Sequence, residues 1–320
     1  MKSKSELTDF YYKALYPALK VLEKDRVQLS HRVITIGIIY TIVIVLITST
    51  VHTYLQQNNV FIFASFGYLV GGGIIYNYLI KDYTQEFKDK IISPLIHALD
   101  KNLQYFPDYH VQSHHFRNSK IFTSRLDKLD GNDYVKGKID DVNIEFSDLH
   151  AQTKYKDTKG NTHYKTIFQG LFIVTDFNKH FKAQTVILPD TAQSTFGDYI
   201  GNLLQSHNMG RNELVKMDSV AFEKEFVVYS SDQIEARYIL SHSLMEKLLL
   251  FKKHSKHPLS LSFVGGKVYL AIAYNKDLFE PSIFHSLLKY KIAMEYVGTL
   301  HLAVGIVEEL KLNQKLWSKL

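Results

Sequence analysis

The chain has 320 residues, a formal net charge of +6 at pH 7, 46% apolar residues and no cysteine. This length predicts one or two domains beyond any membrane part. The lack of cysteine excludes a cysteine-based metal site and agrees with a reducing compartment. The positive charge suits a protein held near an anionic lipid leaflet, although a modest excess of solvated lysines explains it equally well.

Two apolar stretches near the N-terminus predict a transmembrane hairpin. They run from Val33 to Val51 and from Val60 to Leu79, and neither contains Asp, Glu, Lys or Arg. Each is about 20 residues, which is long enough to cross a hydrocarbon core of about 30 Å as a helix. Transmembrane segments are therefore predicted at 33–51 and 60–80.

Lysine and arginine flank the hairpin on its two outer sides and are absent from the connecting loop 52–59. The positive-inside rule then places both termini in the cytoplasm and the loop outside. We expect a multi-pass protein of the cell inner membrane. The flanking basic residues are Lys13, Lys20, Lys24, Arg26 and Arg32 before the hairpin and Lys81, Lys88 and Lys90 after it.

Amphipathic helical patterns lie on both sides of the hairpin. Apolar residues recur at helical spacing within residues 7–22, and a similar stripe occupies residues 87–99. We expect two antiparallel helices that continue the hairpin as a stalk, with Pro17 and Pro94 each able to kink its helix. The alternative is that one stripe lies flat on the lipid surface.

The membrane region is assigned to residues 1–105 and an α+β domain to residues 106–320, with an antiparallel sheet and flanking helices. Residues 103–120 are expected to be a linker or an irregular entry to this domain. The predicted strands are 134–139, 142–156, 163–175, a strand ending at Pro189, 226–230, 258–264 and 267–274. The predicted helices are Ser194–Leu204, a capped helix from Asp232 to Tyr238, a second from Ser243 to about Phe251, and a long helix from Ser282 to Leu310.

Three stretches of the chain carry a resemblance to a known family. They are FEKEFVVYSSDQIEARYILSHSLMEKLL (Phe222 to Leu249), IFQGLFIVTDFNKHF (Ile167 to Phe181) and LAIAYNKDLFEP (Leu270 to Pro281). The chain resembles an uncharacterised bacterial membrane family, domain of unknown function 3137 (DUF3137), in which a two-helix membrane hairpin precedes such a domain. No activity is established for the family, so the resemblance implies no site residue. Its members are often encoded near a LemA-type membrane family, which is a pointer to a partner.

A polar cluster at a strand-to-helix junction is one candidate for chemistry. Asp232, Glu235 and Arg237 would supply an acid, a base and a guanidinium. The structural interpretation is stronger, because Asp232 can cap the helix and Glu235 can complete the capping box. Arg237 could then pair with a carboxylate elsewhere in the chain, such as Glu223 or Glu225. We therefore predict no catalytic residue and keep these three as candidates for a functional site.

Three histidines have a spacing that could bind a transition metal. His110 and His114 are four residues apart, which is a usable pair on a helix, and His115 follows. The chain has no HExxH motif and no cysteine pair to complete a site, and polar residues are common in linkers. We predict no metal and no cofactor.

Glycines in the second span predict close helix packing. Gly67 and Gly71 form a GxxxG pattern, which permits approach either onto the first span through Gly37 or between two protomers. The predicted partners are the lipid bilayer and a membrane protein or a second copy of this chain.

A basic strand face is expected around the turn at residues 157–161. Lys154, Lys156 and Lys165 are placed on one face with His163, and alternation places the tyrosines on the other. A solvated strand face explains these lysines, and no nucleic acid partner is expected.

The chain lacks a nucleophile elbow, a Walker motif and a dinucleotide fingerprint. The sequence therefore favours a membrane-anchored cytoplasmic interaction or regulatory module. One alternative is an enzyme of unrecognised type with a polar site near Asp232, Glu235 and Arg237. The other is a lipid- or ligand-sensing domain that uses the lysine face.

Overall fold

The computed structural model describes residues 6, 9–56, 59–139, 142–177, 181–190, 213–255, 257–288, 298 and 305. The chain separates into two units. One is built on Leu99–Phe279, and the other on Lys2–Ala98 with Glu280–Glu295. The predicted helix Ser194–Leu204 lies outside the described residues.

Two long helices, α1 (Tyr16–Leu55) and α2 (Asn59–Phe87), contain the predicted spans. Both are long and apolar enough to cross a membrane, and no residue in the most apolar window of each is buried. Leu46, Phe63 and Leu69 are each more than 60% exposed. Apolar surface of this extent is not stable in water, so the two helices are compatible with membrane association.

The two helices contact one another through tyrosines. The Tyr40 hydroxyl donates to the carbonyl oxygens of Gly67 at 3.2 Å and Tyr68 at 3.3 Å, and the rings of Tyr40 and Tyr68 stack 5.4 Å apart. A Cβ at Gly71 would collide with the Tyr40 hydroxyl, whereas a Cβ at Gly37 would meet nothing within 4 Å. The expected packing through Gly37 is therefore wrong, because the ring of Tyr40 fills the space beside Gly71.

Each predicted proline kink coincides with a wide helical turn. A π-helical turn, Tyr11–Leu15, runs directly into α1, and a second, Lys88–Ile92, joins α2 to α3 (Ser93–Leu99). Pro17 and Pro94 each occupy the second position of the helix that follows. The apolar stripes are buried within the protein, at Leu15, Leu19 and Leu22 and at Phe87, Ile91 and Leu95. Their burial favours the stalk over a helix lying on lipid.

The predicted helix from Ser282 does not form over residues 282–288, which are bends and turns. The N–H of Leu287 donates to the Glu23 carboxylate at 2.9 Å, and Arg26 donates to the carbonyl of Ile283 at 2.6 Å. These side chains of α1 satisfy backbone groups that a helix would pair internally. The remainder of the predicted helix lies outside the described residues, apart from Gly298 and Gly305, which are helical.

Nine strands of the described chain form one antiparallel sheet in the order β1-β2-β3-β4-β9-β8-β5-β7-β6. The α+β prediction is confirmed. The strands are β1 Gln104–Phe106, β2 Lys128–Ile139, β3 Val142–Lys156, β4 Thr162–Asp176, β5 Thr185–Pro189, β6 Glu213–Val215, β7 Phe226–Ser230, β8 Leu259–Val264 and β9 Lys267–Ala273. The helices of this unit are α4 Ser113–Asn118, α5 Val220–Glu223, α6 Gln233–Ile239 and α7 His242–Ser255.

The expected linker at 103–120 instead contributes structure. It contains β1 and α4, and Phe116 of α4 is buried against the sheet. Its ring stacks on Phe122 at 4.5 Å and lies 5.6 Å from Phe172 of β4. This aromatic cluster covers the middle of one sheet face.

β3 and β4 extend beyond their neighbours. Pairing of β2 with β3 ends at Lys128 and Gln152, so residues 153–156 pair only with 162–165. Almost every side chain in this stretch is exposed. We refer to residues 153–165 as the β3–β4 ribbon.

Candidate functional site

A cleft of about 650 Å³ lies on one face of the sheet, beside the connection between β2 and β3. A volume of this size is typical of small-molecule sites. Five strands contribute side chains or backbone to its walls. The lining residues are Asn102, Gln104, Tyr134, Lys136, Gly137, Lys138, Asn143, Ile144, Glu145, Val174, Asp176 and Lys267.

Strand register places the charged side chains of the cleft in two rows. Lys136 lies opposite Glu145, which lies opposite Val174. In the second row, two residues further along β2, Lys138 lies opposite Asn143. Asp176 lies opposite Lys267. Because paired residues share a face, these side chains converge from four strands.

Glu145 is the centre of a hydrogen-bonded group. Its Oε2 accepts from the Tyr134 hydroxyl at 2.7 Å, and its Oε1 lies 2.8 Å from Nε2 of His115 on α4. Burial raises the pKa of the Glu145 carboxyl, but the hydrogen bonds from His115 and Tyr134 outweigh it and the pKa is lowered. Glu145 is therefore an ionised carboxylate with both oxygens occupied.

Asp176 is held in the same way. Its Oδ1 lies 2.7 Å from Nζ of Lys267, and its Oδ2 accepts from the side-chain amide of Asn143 at 2.7 Å. Burial raises the pKa of Asp176, and the bonds from Lys267 and Asn143 lower it by more. Both carboxylates of the cleft are thus ionised and already bonded within the protein.

The residues Asp232, Glu235 and Arg237 lie at α6 and contact three different backbone segments. Asp232 caps the helix by accepting from the N–H groups of Ile234 at 2.8 Å and Glu235 at 3.1 Å. Glu235 does not close a box onto Asp232; it accepts from the N–H groups of Lys182 and Ala183, at 3.2 and 2.6 Å. These contacts support a structural role for both acids.

Arg237 does not pair with Glu223 or Glu225, contrary to the prediction. Its Nε donates to the carbonyl of Lys216 at 3.3 Å. Glu223 instead accepts from the N–H of Met217 at 2.8 Å, and Glu225 pairs with Lys252 at 2.8 Å. The Arg237 guanidinium therefore donates to a backbone carbonyl and not to either of these carboxylates.

Residues 166–312 match the family described as "Protein of unknown function (DUF3137)". The matched region covers just under half of the chain. It contains Asp176 and Lys267 of the cleft, whereas Lys136, Lys138 and Glu145 precede it. The family resemblance read from the sequence is confirmed, and it brings no function with it.

One solved structure is similar to this protein. It is the crystal structure of the mycobacterial trehalose monomycolate transport factor A, TtfA, which is 8% identical with a TM-score of 0.33. The match covers 67% of this chain and 92% of that chain. Similarity at this level carries no argument about function. No curated protein matches the chain.

The histidines at positions 110 and 114 do not form the predicted helical pair. α4 begins at Ser113, so His110 precedes the helix, and its Nδ1 lies 2.9 Å from the carbonyl oxygen of Val111. His114 and His115 have rings 3.9 Å apart, and His115 is engaged with Glu145. Within the described ranges, no three His, Cys, Asp or Glu residues are grouped to hold a metal.

The lysines of the ribbon are divided between its two faces. Lys154 pairs with Tyr164, and Lys156 pairs with Thr162, whereas Lys165 pairs with Thr153. The Lys154 ammonium lies 5.6 Å from the centre of the Tyr164 ring. The predicted single face of Lys154, Lys156 and Lys165 is wrong, because the register differs by one residue and each step moves a side chain to the other face.

Asp148 is a buried acid that sequence reasoning did not single out. Its Oδ2 accepts from the N–H of Leu278 at 2.6 Å, and its Oδ1 has no hydrogen-bond partner in the described chain. Burial, together with the nearby charges of Asp133 and Asp277, raises the pKa of Asp148 to about 8. The alternation of side chains along β3 does not by itself show that Asp148 is buried. The register of β3 with its neighbouring strands is needed as well.

Proposed function

We propose that this protein is a membrane-anchored interaction or regulatory module of the inner membrane. In this proposal residues 1–105 form the anchor, residues 106–320 form a cytoplasmic domain, and both termini are cytoplasmic. The observation that carries it is that no residue in the apolar windows of α1 and α2 is buried. Flanking lysines and arginines support the orientation.

Cysteine labelling tests the anchor and its orientation. The chain has no cysteine, so the unmodified protein is not labelled by a maleimide at any cysteine and serves as the negative control. With a membrane-impermeant maleimide, Gln57→Cys in the connecting loop is expected to label in intact cells. Lys159→Cys in the ribbon is expected to label only after lysis. Labelling of Lys159→Cys in intact cells, or release of the protein from membranes by carbonate, would contradict the proposal.

Partner binding is tested on the full chain. Cross-linking in cells followed by gentle detergent extraction is expected to recover a complex larger than the protein alone. A homodimer and a complex with another membrane protein are distinguished by co-expressing two differently tagged copies. Recovery of a bare monomer after cross-linking counts against an interaction module while leaving the anchor intact.

A second candidate role is contact with an anionic lipid surface through the ribbon. The ribbon carries Lys154, Lys156, Lys159 and Lys165 with Asp157 as its acidic residue. Tyr155 and Tyr164 are about half exposed, at 51% and 46%. Lysines attract anionic headgroups and tyrosines favour the membrane interface, so this pattern fits a lipid surface.

Vesicle experiments test the ribbon. An environment-sensitive dye on Lys159→Cys is expected to shift its emission when vesicles containing phosphatidylglycerol are added to the micellar protein. Lys154→Glu with Lys156→Glu should remove the shift, and vesicles of phosphatidylcholine alone should not produce it. A shift that survives both charge reversals would remove lipid binding by this face.

A further inference from the structure

Each carboxylate oxygen of the sheet cleft already has a partner within the protein. Both oxygens of Glu145 are occupied, by Tyr134 and His115. Both oxygens of Asp176 are occupied, by Lys267 and Asn143. A cationic ligand would have to share these carboxylates with their present partners. The two carboxylates of the cleft are therefore engaged by side chains of the protein itself.

The lysines of the cleft retain N–H groups that can donate to a ligand. Lys136 and Lys138 are exposed and make no ion pair with the part of the chain that the structure describes. Lys136 lies over the Phe106 ring at 5.2 Å, which leaves its N–H groups available. Lys267 uses one of its three N–H donors on Asp176. Three lysines against two carboxylates leave an excess of positive charge in the cleft lining.

The geometry suits a compact anion attached to a larger body. Lys136 and Lys138 lie two residues apart on β2, so their Cα atoms are about 7 Å apart on one face. Two flexible ammonium groups at this spacing can converge on one tetrahedral anion, for which lysine is a common point-charge partner. The volume of about 650 Å³ exceeds that of a phosphate ion, and Val174 adds apolar wall.

We infer that this cleft binds a phosphate ester, with Lys136 and Lys138 holding the phosphate and Lys267 adding positive charge from β9. The phosphate can belong to a soluble metabolite or to a lipid headgroup, since both present the same group to the lysines. The site needs no bilayer for this chemistry. Its test is thus independent of the membrane anchor proposed above.

Calorimetry on the full chain in an uncharged detergent tests this site. Glycerol 3-phosphate is the soluble probe and dioctanoyl phosphatidate is the lipid probe, both in phosphate-free buffer. At least one is expected to bind, and glycerol alone is not. Lys136→Gln with Lys138→Gln is expected to weaken binding about tenfold or more, because two charge-assisted contacts are lost. Lys136→Arg with Lys138→Arg should retain most of the affinity.

The matched control is Lys224→Gln with Lys253→Gln, which makes the same charge change on two exposed lysines outside both the cleft and the ribbon. It should leave the affinity within about twofold, because surface charges at a distance are screened. Circular dichroism checks that each variant is folded. Equal loss in both double variants would show non-specific charge attraction and overturn the inference. Failure of both probes to bind the unmodified protein would overturn it as well.

Asp140 and Asp141 follow β2 in sequence and lie outside the described residues. Asp140→Asn with Asp141→Asn is expected to leave phosphate binding unchanged or to strengthen it, since it removes negative charge close in sequence to Lys138. A loss of binding in this variant would contradict an anion site. Binding of choline in competition with glycerol 3-phosphate would do the same.

Discussion

The Oε2 atom of Glu235 accepts a hydrogen bond from the backbone N–H of Ala183 at 2.6 Å. The other carboxylate oxygen accepts from Lys182 at 3.2 Å. One side chain of α6 thus satisfies two consecutive amides before β5. Since Asp232 caps the same helix, the DQIEAR stretch has two backbone-directed acids that fix a helix and the start of a strand.

Glu235→Gln is expected to lower the free energy of unfolding by about 1–2 kcal/mol, because one charge-assisted acceptor is replaced by an amide that offers N–H to an N–H donor. Chemical denaturation of the full chain in detergent measures the change. Glu246→Gln is the control, since Glu246 pairs with His242 on an exposed surface and should change stability by less than about 0.5 kcal/mol. Equal effects of the two substitutions would contradict the structural role of Glu235.

Gly170→Ala should be severely destabilising. Gly170 lies in β4 with φ +148°, and an added Cβ would collide with the carbonyl oxygen of Ile272 on β9. A loss of about 3 kcal/mol is expected from strain and the forced separation of two central strands. Gly160→Ala, in the ribbon turn at φ +82° with open space around it, should cost about 1 kcal/mol. Thermal unfolding would refute the β4–β9 contact if the two substitutions cost the same.

Asp148→Asn should change the pH dependence of stability. The folded pKa of about 8 lies above the ordinary value of 3.8, so the folded state holds more protons between these values. Stability therefore falls as pH rises from about 4 to about 8 and then levels. The amide cannot ionise, so this contribution to the slope should disappear and the melting temperature at pH 8 should rise by about 2–4 °C.

The control for that experiment is Asp130→Asn, which removes an exposed carboxylate paired with Lys128. Its pH profile of melting temperature should run parallel to that of the unmodified protein. A profile of Asp148→Asn with an unchanged slope would show that Asp148 is not held protonated in the fold.

Gly71→Leu should destabilise the helical hairpin, because Gly71 lies against the Tyr40 hydroxyl. Overpacking of this kind costs about 1–3 kcal/mol. Gly73→Leu is the matched control, since a Cβ there meets nothing within 4 Å. Thermal stability in detergent should fall only for Gly71→Leu, with no change in molecular mass by light scattering. A change in mass would instead support the predicted contact between protomers through Gly67 and Gly71.

Sequence patterns predicted the local features well. The charge-free stretches around Val33 and Val60 fall within α1 and α2, and the Gly265-Gly266 turn joins β8 to β9 as expected. Asp232 caps α6 as predicted. These features depend on residues close in sequence, where periodicity and capping chemistry are sufficient.

Features that depend on long-range register were not predictable in the same way. Asn143, Glu145 and Asp176 look like ordinary solvated strand residues until β3, β4 and β9 are aligned. The ribbon shows this sensitivity directly. Lys154 pairs with Tyr164, so Lys165 lies on the opposite face of the ribbon. A shift of one residue in this pairing would place Lys154 and Lys165 on the same face. His115 was considered for its spacing from neighbouring histidines, whereas its partner Glu145 lies 30 positions further along the chain.

The strand order has a consequence for biosynthesis. β8 and β9 are the last strands described in the chain, yet they lie between β4 and β5 in the middle of the sheet. A nascent chain that has left the ribosome only as far as β7 has a β2–β3–β4 meander with the β4 edge unpaired. Translation of Leu259–Ala273 supplies the closing hairpin. Chaperone binding to stalled chains should therefore end abruptly once that hairpin emerges.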